Sequence, residues 1–198
     1  QGSTVHTPVT TGTRLREVLL EWALRHTQTE LGRYFDNAKV LFFSGLTHYK
    51  LAMAMQEYTP NLHFADPPLQ LGLPKLLTSL DALGLYASGA HYVQDWKPPR
   101  VVPAALQRRW TRHVLGRAMA RSTVVVAPVH ELDDFGLEEL AGKTLITTNV
   151  NEERLARFKD KGVHMVVDGS PMLQGHVLGP ELLDAMVLAA TGKAPEEV

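Results

Sequence analysis

Five short apolar or β-branched runs constrain this chain more than any other feature: Lys39–Phe43 (KVLFF), Asn61–Ala65 (NLHFA), Thr123–Ala127 (TVVVA), Thr144–Thr148 (TLITT) and Val163–Val167 (VHMVV). Near-continuous apolarity over so few positions is the pattern of a strand covered on both faces. Segments of helical period separate most of these runs, and strands joined by helices imply βαβ units with right-handed crossovers. The sequence therefore predicts an α/β fold, a doubly wound, mostly parallel sheet with helices on both faces, Rossmann-like in class.

The helical segments follow from apolar spacing and from punctuation. Thr13 suits an N-cap, and Leu15, Val18, Leu19, Trp22 and Ala23 recur at 3.6-residue spacing in a helix ending near Gly32. Further helix is expected from Thr47 to about Tyr58, and across the Leu-rich stretch Leu69–Leu85, broken by Gly72 and Pro74. Residues 86–102 read as irregular, with Trp96-Lys97-Pro98-Pro99 a loop and room for a sixth strand between Tyr86 and Val93. Pro103 opens a helix through Arg121 whose buried stripe is read as Leu106, Trp110, Val114 and Ala118. A short helix around Leu137–Ala141, another from Asn151 to Lys161 with Gly162 as its C′ residue, and a last one at 180–191 complete the reading. Two units are expected: residues 1–38, a loop and long helix packing on the core, and residues 39–198, the Rossmann-like domain as one compact unit.

At 198 residues the chain is long enough to bury about 70% of its unfolded surface. It has no cysteine, which excludes disulfides, thiol nucleophiles and Cys-based zinc sites and agrees with a reducing compartment. Twenty Lys and Arg against twenty-one Asp and Glu leave a net charge of −1, so nucleic acid and membrane are not expected as partners. No apolar run approaches the length that spans a bilayer, and the first residues lack the basic and apolar regions of a signal peptide. The expected location is the cytoplasm. The chain begins at Gln1 in Ser/Thr/Pro/Gly-rich sequence, so it is expected to be part of something longer.

In a sheet of this class, ligands bind outside the carboxyl ends of the strands near the point where strand order reverses. That rule selects five loops: Ser44-Gly45-Leu46-Thr47-His48, Asp66, Ala127-Pro128-Val129-His130, Thr147-Thr148-Asn149 and Asp168-Gly169-Ser170-Pro171. The first stands where a dinucleotide fold carries G-x-G-x-x-G, with Gly45 as its one glycine. Asp66 follows Gly45 by 21 residues, the place of an acid that holds a ribose hydroxyl; its alternative role is to cap the segment after it. Candidate cofactor-binding residues are therefore Ser44, Gly45, Thr47, Asp66, Ala127, Thr147, Thr148 and Asn149, with NAD or NADP as the cofactor. Asn149 or Asn151 could equally cap the following helix. His48 and His130 lie on ligand-side loops and could act as general acids or bases. His63 and His164 fall inside strands, and no pair of histidines has metal-ligand spacing. No metal site is assigned. Arg108, Arg109 and Arg112 share an arc of about 100° on their helix, a face that suits phosphates or an acidic partner and is read first as solvated.

The segments KVLFFSGLTHYKLAMAM (39–55), TTNVNEERLARFKDKGVHMVVDGSP (147–171) and LGPELLDAMVLAATGKAPEEV (178–198) resemble bacterial proteins described as quinate 5-dehydrogenases, related to the shikimate and quinate dehydrogenases. TVHTPVTTGTRLR (4–16) is similar to the threonine-rich loop and helix before the cofactor domain of some NAD(P)-dependent reductases. The resemblance implies a C-terminal cofactor-type domain with a substrate domain upstream. The Lys and Asp of the shikimate-type reaction come from that upstream domain and match no position here, so no catalytic residue is assigned.

Three functions follow as expectations. The first is an NAD(P)-binding domain of a quinate or shikimate dehydrogenase-like oxidoreductase. The second is a non-catalytic module, binding a small molecule or a protein, that has lost the glycine-rich motif. The third is nucleic-acid binding through Arg108, Arg109 and Arg112. A small-molecule ligand is the expected partner, and a homo-oligomer is left open.

Overall fold

The computed structural model describes residues 13–93, 104–134, 140–170, 172–173, 176–177 and 186. Each of the five apolar runs marks a strand: Val40–Phe42 (β1), Leu62–Phe64 (β2), Val124–Val126 (β3), Thr144–Thr147 (β4) and Met165–Asp168 (β5). The last begins two residues later than its run and ends one beyond it, so that His164 precedes the strand. They form one parallel sheet in the order β2-β1-β3-β4-β5. Every residue of β1, β3 and β4 is buried, which is why these strands read as continuous apolar or β-branched runs rather than as alternation. The α/β, Rossmann-like expectation holds.

The helices are Thr13–Glu30 (α1), Tyr49–Gln56 (α2), Leu80–Val93 (α3), Ala104–Arg121 (α4), Val129–Asp134 (α5) and Glu152–Asp160 (α6). On one face of the sheet Val40, Phe42, Val126 and Ile146 pack with Leu20 and Leu24 of α1, Leu51 and Met55 of α2, and Leu83 of α3. On the other, Leu41, Phe43, Val125 and Leu145 pack with Leu115 and Met119 of α4, Leu132 of α5 and Phe158 of α6. The Arg25 guanidinium of α1 spans to both carboxylate oxygens of Glu57, at 2.8 and 2.9 Å, just past the end of α2. A short antiparallel pair, Met172–Leu173 (β6) and His176–Val177 (β7), follows the sheet.

Several local expectations are corrected. No strand lies between Tyr86 and Val93, because α3 runs through both. The stretch 69–85 is not one broken helix: Pro67–Leu71 form a single π-helical turn ended by left-handed Gly72, Leu77 then bridges Phe64 beside β2, and helix resumes at Leu80. A helix at Val129–Asp134, not expected from the sequence, follows β3. The one expected around Leu137 falls on residues 135–139, outside the described residues, and Leu140–Lys143 form a turn with Gly142 at φ 71°. Both anticipated helix stripes are displaced. On α1, Val18 and Trp22 are exposed and Leu20, Ala23 and Leu24 are buried; on α4, Trp110 is exposed and Thr111, Leu115, Ala118 and Met119 are buried. The expectations for residues 1–12, the Trp96–Pro99 loop and Pro103 lie outside the described residues, as does the helix at 180–191 apart from Met186.

Candidate functional site

The strand order reverses between β1 and β3, and the loops after those strands diverge to opposite faces of the sheet. An open cavity of about 500 Å³ occupies that place. Ser44, Thr47 and His48 line it from the end of β1, Pro128 to Glu131 from the end of β3, and Thr148, Asn149 and Arg154 from the β4–α6 connection. A second hollow between α5 and α6, bordered by Asp133, Arg157 and Phe158, measures about 10 Å³ and holds no more than a water-sized guest.

The β1 turn is fastened on two sides. Asp66 is 1% exposed, and its carboxylate accepts the backbone N–H of Gly45 at 2.9 Å and of Leu46 at 3.0 Å. In a dinucleotide fold, donors at this turn face a pyrophosphate; here a side chain of the same protein takes them. Burial pushes the Asp66 carboxyl above its ordinary value, and the two N–H donors pull it back. Gly45 is demanded by packing, since a Cβ there would collide with the Phe64 ring and lie 2.9 Å from Asp66 Oδ2 and 3.1 Å from Leu83. On the other side of the turn, Ser44 Oγ donates to Glu131 Oε1 at 2.6 Å, joining the end of β1 to α5 across the switch point.

The β4–α6 connection is equally determined. Asn149 adopts φ 61°, a left-handed conformation that Asn tolerates better than most residues. Its N–H donates to Ser170 Oγ at 2.6 Å, and the N–H of Val150 donates to Asp168 Oδ2 at 3.1 Å. Asn151 then caps α6, its Oδ1 accepting the N–H of Arg154 at 2.9 Å. Arg154 Nη1 donates to the Asn149 carbonyl at 3.0 Å. Among the described residues no carboxylate lies within ion-pair distance of Arg154, whose guanidinium lines the cavity wall.

Of the residues selected from sequence, Ser44, Thr47, Thr148 and Asn149 come together around the cavity. Gly45, Asp66, Ala127 and Thr147 do not line it. Ala127 is 1% exposed and donates its N–H to Ile146, while Thr147 is 3% exposed and receives the N–H of Gly169 on its carbonyl. His48 and His130 both line the cavity; His48 is buried at the N-cap of α2 and His130 is exposed on α5. Sequence reasoning missed Glu131 and Arg154. A signal for Arg154 was present in its place three residues after the Asn cap of α6, whereas Glu131 needs the position of α5 to be known. The wall thus offers a cation, a carboxylate, imidazoles, hydroxyls and an amide around an opening to solvent, a set that can bind acid and hydroxyl groups and exchange protons with them.

Among the described residues no group of three or more His, Asp or Glu side chains is placed to hold a metal ion, and no helix is long and apolar enough to cross a membrane. Residues 14–198 match the model of a family described as "Domain of unknown function (DUF8754)". No curated protein and no solved structure matches the chain.

Proposed function

We propose, from the premise that the chain belongs to the family described as a domain of unknown function (DUF8754), that it is a Rossmann-like ligand-binding domain whose switch-point cleft takes a small hydroxylated acid. The observation that carries this reading is Arg154, which lines a cavity of about 500 Å³ of mixed polar and apolar character and, among the described residues, makes no ion pair. An arginine held by a carbonyl is pre-oriented for the planar, two-point contact that a carboxylate or phosphate accepts. Ser44, Thr47, Thr148 and Asn149 supply partners for hydroxyl groups on the same guest. Hydroxy acids of the quinate and shikimate type, suggested by the resemblance of residues 39–55 and 147–171, combine both features.

A nicotinamide dinucleotide is the second reading, favoured by the position of the cavity at the switch point and by the four sequence-selected residues lining it. It would bind without the Gly45 and Leu46 amides, which Asp66 holds. The two readings separate in a thermal-shift titration with quinate, shikimate, inorganic phosphate, NAD, NADH, NADP and NADPH. Saturable stabilisation by a hydroxy acid or phosphate, lost in Arg154→Ala, is the expected result. Stabilisation by a dinucleotide alone would move the assignment to the second reading, and no shift with any compound at millimolar concentration would overturn both.

A further inference from the structure

We infer that the outer face of α4 binds a single-stranded nucleic acid. The helix carries Arg108, Arg109, Arg112, Arg117 and Arg121 and no acidic residue. All five are exposed, and among the described residues none makes an ion pair or a side-chain hydrogen bond. Taking these five from the chain's twenty Lys and Arg leaves fifteen cations against twenty-one acidic residues, so positive charge is segregated on this helix while the remainder is acidic. The net charge of −1 averages over that separation and conceals it.

The arrangement is ordered as well as basic. Thr111, Leu115, Ala118 and Met119 face the core, which turns Arg109, His113, Arg117 and Arg121 outward at intervals of four residues. With a rise of about 1.5 Å per residue, successive members of that ridge stand about 6 Å apart along the axis. Trp110 flanks the ridge, 50% exposed, its ring 6.1 Å from that of His113. Guanidinium groups beside an exposed indole provide phosphate contacts together with a stacking surface for a base, the two elements of single-strand recognition. An acidic protein would satisfy the charges but leave Trp110 unexplained. A duplex would likewise leave it unused, because its bases are already stacked.

The test is fluorescence anisotropy of labelled oligouridine and oligodeoxythymidine with the full chain at low ionic strength, followed by salt titration. Binding to either is expected, with log K falling against log salt by about 0.7 per phosphate neutralised. The triple substitution Arg109→Ala, Arg117→Ala, Arg121→Ala should weaken binding at least about tenfold and flatten that slope, with an unchanged unfolding midpoint showing that the fold is intact. Trp110→Ala alone should weaken it by roughly fivefold or more. Absence of binding at low salt, binding that ignores these substitutions, or tighter binding to polyglutamate than to either oligonucleotide would each overturn the inference.

Discussion

Replacing Asp66 by Asn keeps the shape of the side chain but turns one acceptor into a donor, and both acceptors are in use at 2.9 and 3.0 Å. One backbone N–H in a buried site then faces another donor, so Asp66→Asn should lose about 1–3 kcal/mol of stability in urea unfolding. The pH dependence has a definite sign. Burial raises the folded carboxyl above its unfolded value, so the folded state holds this proton more firmly. The contribution of Asp66 is therefore greatest below about pH 4 and declines as pH rises through the raised folded value. The difference in stability between wild type and Asp66→Asn should shrink across that window and level off above it. Gly45→Ala forces a Cβ against Phe64 and should cost about 1–3 kcal/mol by the same measurement. Both residues were visible in the sequence as a pair 21 apart. Their roles were not, because that spacing suits an acid reaching a ribose and an acid clasping the turn equally well.

At the level of elements, the cap of α6 connects stability with binding. Asn151→Ala removes the acceptor for the Arg154 N–H and should cost about 1 kcal/mol. Because Arg154 stands on that first turn, the same substitution should also weaken the binding of a hydroxy acid, measured by calorimetry, where a purely structural cap would leave affinity unchanged. Strands were legible because a strand covered on both faces is buried at every position and is filled by apolar or β-branched residues, as Val124–Val126 and Thr144–Thr147 are. Helix faces were less so. Trp22 and Trp110 drew the expected stripes toward themselves, yet Trp22 stacks on His26 at the surface, with ring centres 5.0 Å apart, and Trp110 lies beside His113. Thr111 takes the buried place on α4 because its hydroxyl can donate to the Pro68 carbonyl at 3.2 Å. No periodicity reports such a partner, since Pro68 lies 43 residues away.

For the whole molecule, a guest bound at a hundred times its dissociation constant stabilises the fold by about 2.7 kcal/mol. In a chain of this size that should raise the melting temperature by roughly 5–10 °C, and Arg154→Ala should melt normally but fail to respond. The parallel architecture could be inferred from the alternation of elements. The order β2-β1-β3-β4-β5, and with it the neighbours of the cleft, is decided by which buried edges pair, information spread over residues as distant as Val40 and Val124. The turn after β1 is tied to Asp66 on one side and to Glu131 on the other before any ligand arrives. A wall held in this way has no rearrangement to complete during encounter. In stopped-flow mixing, the observed association rate should rise linearly with ligand concentration and show no plateau.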